Sequence, residues 1–263
     1  MDLQTLFNSK QYRKGNGVTF PSIEEVVTPW LNNIDEHIEE YDIRVEKVNE
    51  VAVDVDQETG FEQEHIVYKR FILEGLLKPE YQFEILNNDR HNLCIGMLGY
   101  FDTLKPSVKV YAGYMRHSCL NLSIFSPRKI ITQEFSNENF DLIYEQSKRF
   151  IPELVTERRE FEYRMEEMAS VYYSGDDLAL LLGRLGIEVI KKGNLTTAYT
   201  NMIKMLVSNR DISNDIKNTY YKQDRRYNKF DIYNAFTNTI SSKKDSVNRA
   251  EHSYAAFKLF ENV

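Results

Sequence analysis

The sequence predicts an α+β fold in which one helix precedes a largely antiparallel sheet and an α-helical lobe follows it. Apolar residues recur at helical spacing before about residue 40, alternate from about 41 to 125, and return to helical spacing after Pro127. Short links join the predicted strands, as antiparallel pairing allows and parallel pairing does not. With 11 Gly and 6 Pro in 263 residues, the composition also favours long regular elements.

The N-terminal part is expected to hold a loose leader and then a helix. Residues 1–18 are polar and contain Gly15 and Gly17, which predicts either a flexible arm or a loosely docked leader. Ser22 and Glu25 then have the spacing of a capping box, in which the side chain of each residue accepts a hydrogen bond from the backbone N–H of the other. The helix that follows has an apolar face that includes Trp30, and this face is expected to pack on the sheet.

Period-two alternation predicts the strands of the sheet. The segments are 43–48, 51–55, 65–73, 81–86, 93–100 and 107–115. Turn residues such as those at 57–60 separate them, so we expect an antiparallel meander rather than a doubly wound sheet.

Beyond Pro127 the spacing predicts helices only. They are expected at 140–150, 153–173, 178–190, 197–207, 229–240 and 245–259. The predicted organisation is therefore an arm over 1–18, a helix with a sheet over 19–126, and a helical lobe over 127–263, the last two forming either separate lobes or one integrated domain.

Cysteine usage and the N-terminus limit the class of protein. Cys94 and Cys119 lack C-x-x-C spacing and histidine partners, so both are expected to be reduced and buried, and no metal or cofactor is predicted. The first residues form no signal peptide, and no run is long and apolar enough to cross a bilayer. We therefore expect a cytoplasmic protein without membrane contact.

The net charge of −7 hides an asymmetry along the chain. Residues 1–103 contain nine Lys/Arg and twenty Asp/Glu, whereas residues 104–263 contain twenty-four and twenty. Such asymmetry indicates a nucleic-acid or partner surface on the basic half. The alternative is that these cations cover solvated helix faces.

The chain contains no Walker loop, G-x-G-x-x-G, H-E-x-x-H or G-x-S-x-G motif. The nearest approach to a nucleophile with a base is Cys119 with His117. Residues two apart on a strand are not oriented for proton transfer, and a reactive thiolate needs a cationic setting. The sequence therefore predicts a protein that is not an enzyme.

The best binding candidate is the segment 220–230, in which four cations and four aromatic rings surround one acid. A mixture of cations and aromatic rings is typical of sites that bind single-stranded nucleic acid, because the cations pair with phosphates and the rings stack on bases. The predicted contacts are Tyr221, Lys222, Arg225, Arg226, Tyr227 and Lys229. The alternative is a connecting loop whose rings dock on the helical lobe while its cations point to water.

Two blocks of the chain carry a family resemblance. The first is Ser107-Val108-Lys109-Val110-Tyr111-Ala112-Gly113, followed by Arg116, Cys119 and Asn121. The second runs over 227–237, with Tyr233 and Asn234, and continues with Arg249 and the residues 250–257. Together they resemble the phage and plasmid proteins grouped as domain of unknown function 932. The resemblance implies a mobile-element protein in a bacterial cytoplasm and a structural role for Arg116, Cys119, Asn121, Tyr233, Asn234 and Arg249.

Two hypotheses for function follow. The first is a phage- or plasmid-encoded, non-enzymatic protein that handles nucleic acid, binding or annealing single-stranded DNA in replication or recombination. A sheet flanked by helices also suits a homo-oligomer that tracks a strand. The second is a protein-interaction factor, either an inhibitor of a host defence system or a minor virion component, that uses its acidic N-terminal half to bind a basic partner.

Overall fold

The computed structural model describes residues 2–11, 21–56, 58–86, 89–101, 106–117, 120–135, 141–193, 195–207, 224–242 and 248–263. The chain is α+β, with a largely antiparallel sheet and a helical C-terminal region, as the sequence predicts. It divides into two compact units. Unit 1 comprises 1–80, 94–112 and 128–152, and unit 2 comprises 81–93, 113–127 and 153–263.

Residues 2–11 pack against the rest of unit 1 and do not form a flexible arm, the first of the two alternatives predicted for this segment. Helix α1 spans Leu3–Phe7 and buries Leu6 completely. Strand β1, Lys10–Gln11, then pairs in parallel with strand β3, Glu62–Leu77. The rest of the predicted arm, residues 12–18, lies outside the described residues.

Helix α2, Ile23–Ile34, begins at the predicted capping box. The Glu25 N–H donates to Ser22 Oγ (3.1 Å), and the Ser22 N–H donates to a Glu25 carboxylate oxygen (2.6 Å). The helix buries one apolar face that includes the fully covered Trp30. Helix α3, Asp141–Ser147, contributes Tyr144, whose hydroxyl donates to the Val26 carbonyl of α2 at 2.7 Å.

Strands β2, Ile38–Val55, and β3 form a long antiparallel hairpin. The two strands predicted over 43–55 are one strand, interrupted by register shifts between Glu46 and Val51. The turn is built by Asp56, whose carboxylate accepts the N–H groups of Glu58 (2.8 Å) and Thr59 (3.0 Å). Gly60 has a φ of +67°, a conformation that glycine adopts without strain.

The distal part of this hairpin extends past the neighbouring strands. Strand β3 pairs with strand β5, Asp89–Tyr100, over Arg70–Leu76. Residues 62–66 of β3 pair with β2 alone among the described strands, so at about 3.4 Å per residue the hairpin continues for about 17 Å. We call residues 51–66 the hairpin arm.

The remaining strands of unit 1 include one that the sequence pattern missed. Strand β6, Ser107–Arg116, pairs through Ser107–Tyr111 with strand β8, Ile130–Glu134. The prediction of helices alone beyond Pro127 is therefore wrong at β8, because this short segment pairs with a distant strand that fixes its conformation.

Two glycines of β5 lie beneath aromatic rings of the neighbouring strands. A Cβ atom at Gly96 would overlap the ring of Tyr111, and one at Gly99 would overlap the ring of Phe71. The Tyr111 hydroxyl donates to the buried Glu74 carboxylate at 2.5 Å. The rings thus occupy the space that a side chain at either glycine would need.

Unit 2 combines strand ends with most of the helices. Strand β4, Gln82–Ile85, pairs with the beginning of β5, and strand β7, Leu122–Ser123, pairs with the end of β6. The helices are α4 (Phe150–Ser170, of which residues 153–170 belong to unit 2), α5 (Gly175–Lys192), α6 (Thr196–Val207), α7 (Lys229–Ser242) and α8 (Arg249–Glu261). Strands β9, Tyr172–Tyr173, and β10, Tyr227–Asn228, form an antiparallel pair.

An aromatic cluster fills part of the unit 2 core. Tyr114 and Phe161 stack with ring centroids 4.1 Å apart, and Phe83 stacks on the buried His91 at 5.6 Å. The His91 Nδ1 lies 3.1 Å from the Asp89 carbonyl. Burial lowers the pKa of His91, and the nearby Asp89 carboxylate opposes that shift.

Cys94 is a buried free thiol, as predicted, whereas Cys119 lies outside the described residues. None of the described helices combines the length and the apolar character that a bilayer crossing requires.

Candidate nucleic-acid interface

The predicted basic and aromatic segment is described from Asp224 onward, so Tyr221 and Lys222 lie outside the described residues. Asp224 makes a tight turn by accepting the Arg226 N–H on its carboxylate (3.2 Å). Arg225 has a φ of +51° in this turn, and β10 follows directly.

Tyr227 cannot stack on a base in this structure, which corrects the predicted role. Its ring has no exposed surface, and its hydroxyl donates to the Leu206 carbonyl of α6 at 2.8 Å. In the pairing of β10 with β9, Tyr227 lies opposite Tyr173. The ring therefore anchors the strand to the helices.

Lys229 begins α7, and its backbone N–H donates to the Val171 carbonyl at 2.9 Å. Its side chain is half-buried, and burial lowers the pKa of its ammonium group, although Glu167 opposes the shift. The predicted phosphate contact at Lys229 therefore involves a cation that is already partly desolvated.

Arg225 and Arg226 are exposed. The Arg226 guanidinium lies over the Tyr172 ring, 5.0 Å from its centroid, and Tyr172 is 53% exposed. An exposed ring is thus paired with an exposed cation at the edge of unit 2. The residues 220–230 alone could not reveal Tyr172, because β9 brings it to Arg226 from about fifty positions earlier in the chain.

A groove continues from Tyr172 along α5. Its first part is a pocket of about 250 Å³ lined by Tyr172, Tyr173, Asp177, Leu180, Leu181, Arg184 and Val263. Its second part is a pocket of about 360 Å³ lined by Arg184, Ile187, Glu188, Lys191, Lys192, Leu259, Asn262 and Val263. Arg184 belongs to both pockets, and we call the two together the α5 groove. The α5 members recur three or four residues apart, which places them on one face of the helix.

The α5 groove mixes cations with exposed apolar side chains. Lys191 and Lys192 lie in the last turn of α5, where cations are stabilised by the helix dipole. The Lys191 ammonium donates to Glu188 at 2.8 Å and holds the pKa of that carboxyl below its usual range. Burial raises the pKa of Tyr173, and the nearby Arg184 charge opposes that shift.

Apolar surface in the groove comes from the outward side of α5. Leu180 is 57% exposed and Ile187 is 55% exposed. Exposed apolar side chains grouped on one side of a helix favour contact with a partner or a ligand, although single ones are common on any surface. The groove can therefore hold both an anionic group and an apolar one.

The residues of the two resemblance blocks are in contact within unit 2. The Arg116 Nε donates to both Asp89 carboxylate oxygens at 2.7 Å. The buried Asn121 amide donates to the Asn234 carbonyl (3.2 Å) and to Thr237 Oγ1 (3.1 Å). The Arg116 bonds join β6 to the start of β5, and the Asn121 bonds join the segment before β7 to α7.

Two further residues of the blocks are also buried. The Tyr233 hydroxyl shares a 2.8 Å hydrogen bond with Ser123 Oγ, and Arg249 at the start of α8 has no exposed surface. Cys119 lies outside the described residues. Of the six residues to which the resemblance assigns a structural role, the five that the structure describes thus lie in unit 2.

No family model, no curated protein and no solved structure matches the chain. The resemblance to domain of unknown function 932 stays a prediction from the sequence.

Proposed function

We propose that this protein is a non-enzymatic nucleic-acid-binding protein that binds single-stranded DNA along the α5 groove, with Arg226 and Tyr172 at one end. The observation that carries the proposal is the Arg226 guanidinium over the exposed Tyr172 ring, next to a groove that contains Arg184. A phage or plasmid origin, with a role in replication or recombination, belongs to the same proposal and rests on the sequence resemblance.

The chemistry of the groove favours single strands over duplexes. Unpaired bases stack on aromatic rings and on guanidinium planes, and both are offered at Tyr172 and Arg226. Cations then follow at Arg184, Lys191 and Lys192, where they can track the phosphates. A duplex keeps its bases stacked internally and gains only the phosphate contacts.

The test is the salt dependence of binding, measured by fluorescence anisotropy with labelled oligothymidylate and with a duplex of equal length. Each phosphate contact to a single strand contributes about 0.7 to the slope of log K against log salt. Replacing Arg225 and Arg226 together by Ala is expected to flatten that slope by roughly one to two.

A matched control is the replacement of Lys148 and Arg149 by Ala, since this exposed basic pair lies in unit 1. It is expected to leave the slope unchanged. Absence of binding to either oligonucleotide at low salt would reject the proposal. An equal loss of slope in the control would show a diffuse charge effect instead of a site.

A further inference from the structure

We propose that the tip of the hairpin arm of one copy docks into the α5 groove of a second copy, so that the chains assemble head to tail. The tip comprises Val55, Asp56 and residues 58–62. This contact between two copies needs no nucleic acid and does not depend on the proposed function.

The tip presents an apolar anchor among acids. Phe61 is 71% exposed and Val55 is 56% exposed. Asp56, Glu58 and Glu62 are exposed as well, and residues 55–62 contain no Lys or Arg. A large aromatic side chain ringed by carboxylates is suited to an apolar pocket bordered by cations.

The turn that carries Phe61 is held by its own hydrogen bonds. The Phe61 N–H donates to Thr59 Oγ1 (3.4 Å), and the Asp56 N–H donates to the Phe61 carbonyl (2.9 Å). The bonds from Thr59 and Glu58 also lower the pKa of Asp56, which favours the ionised carboxylate. Docking such a turn orders few additional groups, which favours binding.

The α5 groove has the complementary character. Leu180 and Ile187 supply exposed apolar surface. The cations Arg184, Lys191 and Lys192 outnumber the two acids of the lining, Asp177 and Glu188. A cavity of about 150 Å³ admits benzene, so pockets of about 250 and 360 Å³ have room for one phenyl ring.

A second copy of this chain is the occupant that uses both features. The single strand proposed for the same groove would also contact its cations, so the arm tip and the strand would exclude each other there. The arm tip supplies a ring for the apolar surface of Leu180 and Ile187 and carboxylates for the cations. Because the tip and the groove are different surfaces, the contact is heterologous and builds a ring or a filament.

The test is sedimentation velocity on nuclease-treated protein over a series of concentrations and salt. The wild-type mass is expected to rise with concentration and to fall with added salt. Phe61→Ala inactivates the tip and Ile187→Glu inactivates the groove, and each change is expected to weaken self-association at least about tenfold. Both side chains are exposed, and circular dichroism checks that each variant is folded.

Mixing the two variants separates the head-to-tail arrangement from a symmetric one. The Phe61→Ala chain keeps an intact groove and the Ile187→Glu chain keeps an intact tip, so the mixture is expected to form 1:1 dimers and nothing larger. A mixture that stays monomeric would overturn the proposal, as would wild-type protein that is monomeric at every concentration.

Two further variants test whether the charge of the tip contributes to association and whether the effect is specific to the arm. Replacing Glu58 and Glu62 together by Lys reverses the charge of the tip without touching Phe61, and it is expected to weaken association as well. Leu142→Ala removes an apolar side chain of α3 that is 59% exposed and lies outside the arm. If this control weakened association as much as Phe61→Ala, the arm would not be the docking element.

Discussion

Of the tyrosines on the paired strands β9 and β10, Tyr172 is the one whose ring is exposed enough to stack on a base. Its ring is half exposed under Arg226, whereas Tyr227 on the paired strand is buried. Tyr172→Ala is expected to weaken single-strand binding by about 1–3 kcal/mol, the usual contribution of one stacked base. The slope of log K against log salt should stay as it is, because stacking releases no counterions. Anisotropy titrations at several salt concentrations measure both quantities.

Tyr163→Ala is the control, since this tyrosine of α4 is 65% exposed and does not line the α5 groove. Equal losses of affinity from the two substitutions would argue against a stacking site at Tyr172.

His91 gives the protein a pH dependence of stability. Burial lowers its pKa in the folded state below the 6.5 of an unperturbed histidine, so the folded imidazole is neutral. As the pH falls through 6.5 toward the folded pKa, the unfolded chain takes up a proton that the folded chain does not. The contribution of the neutral His91 to the free energy of unfolding is therefore fully present above pH 6.5, and the free energy of unfolding decreases below that pH.

The comparison variant is His91→Phe, which keeps a ring next to Phe83 and Phe161. Urea unfolding at several pH values should show a smaller loss of stability in this variant between pH 7 and 5 than in the wild type. Parallel pH profiles for the two proteins would show that His91 does not cause the pH dependence of stability.

The sequence could identify part of the site at the residue scale. Composition pointed to residues 220–230, and Arg225 and Arg226 are exposed there. It could not separate Tyr227 from Tyr172, because burial of the former depends on α6 and exposure of the latter on a two-residue strand. Arg184 was also missed, since a single cation on an amphipathic helix gives no signal of its own.

Among the elements, the start of α2 provides the sharpest test. Ser22 accepts the Glu25 N–H, so Ser22→Ala is expected to lower the free energy of unfolding by about 1 kcal/mol. Ser174 is the matched control, because it precedes α5 but makes no side-chain capping bond. Chemical denaturation of both variants should show a loss at Ser22 and little change at Ser174, and equal effects would contradict the capping argument.

Elements with strong local signals were predictable and those defined by distant pairing were not. The capping box fixed α2, and alternation fixed β3 and β5. Strands β1 and β8 were missed because they contain two and five residues and owe their conformation to β3 and β6. Short segments carry too few residues for a period to emerge.

For the whole molecule, the division into units does not follow the predicted boundary between 126 and 127. Strands β5 and β6 contribute residues to both units. A 12-residue strand extends about 40 Å, so its two ends can belong to different cores. Hydrophobic periodicity locates elements along the chain but says nothing about which core each part of a long strand joins.

Cys94 reports on the opening of the molecule because it is buried within β5. In a Cys119→Ser variant, labelling of Cys94 by a bulky thiol reagent is expected to be slow in the native state. The rate should rise with urea as the opening free energy falls. The absorbance of the thiolate that the reagent releases measures the labelling rate. Complete labelling on mixing would contradict the burial of Cys94.

The rings over Gly96 and Gly99 also restrict how this chain can change over evolutionary time. A larger residue at Gly96 displaces Tyr111 and removes its hydroxyl from Glu74, while a smaller residue at position 111 leaves a void above the glycine. Neither partner can be replaced alone at low cost, and a one-residue slip of either strand turns the ring to the opposite face. Mutational paths at these positions of β3, β5 and β6 therefore require paired substitutions, whereas exposed positions outside the groove and the arm tip can vary one at a time.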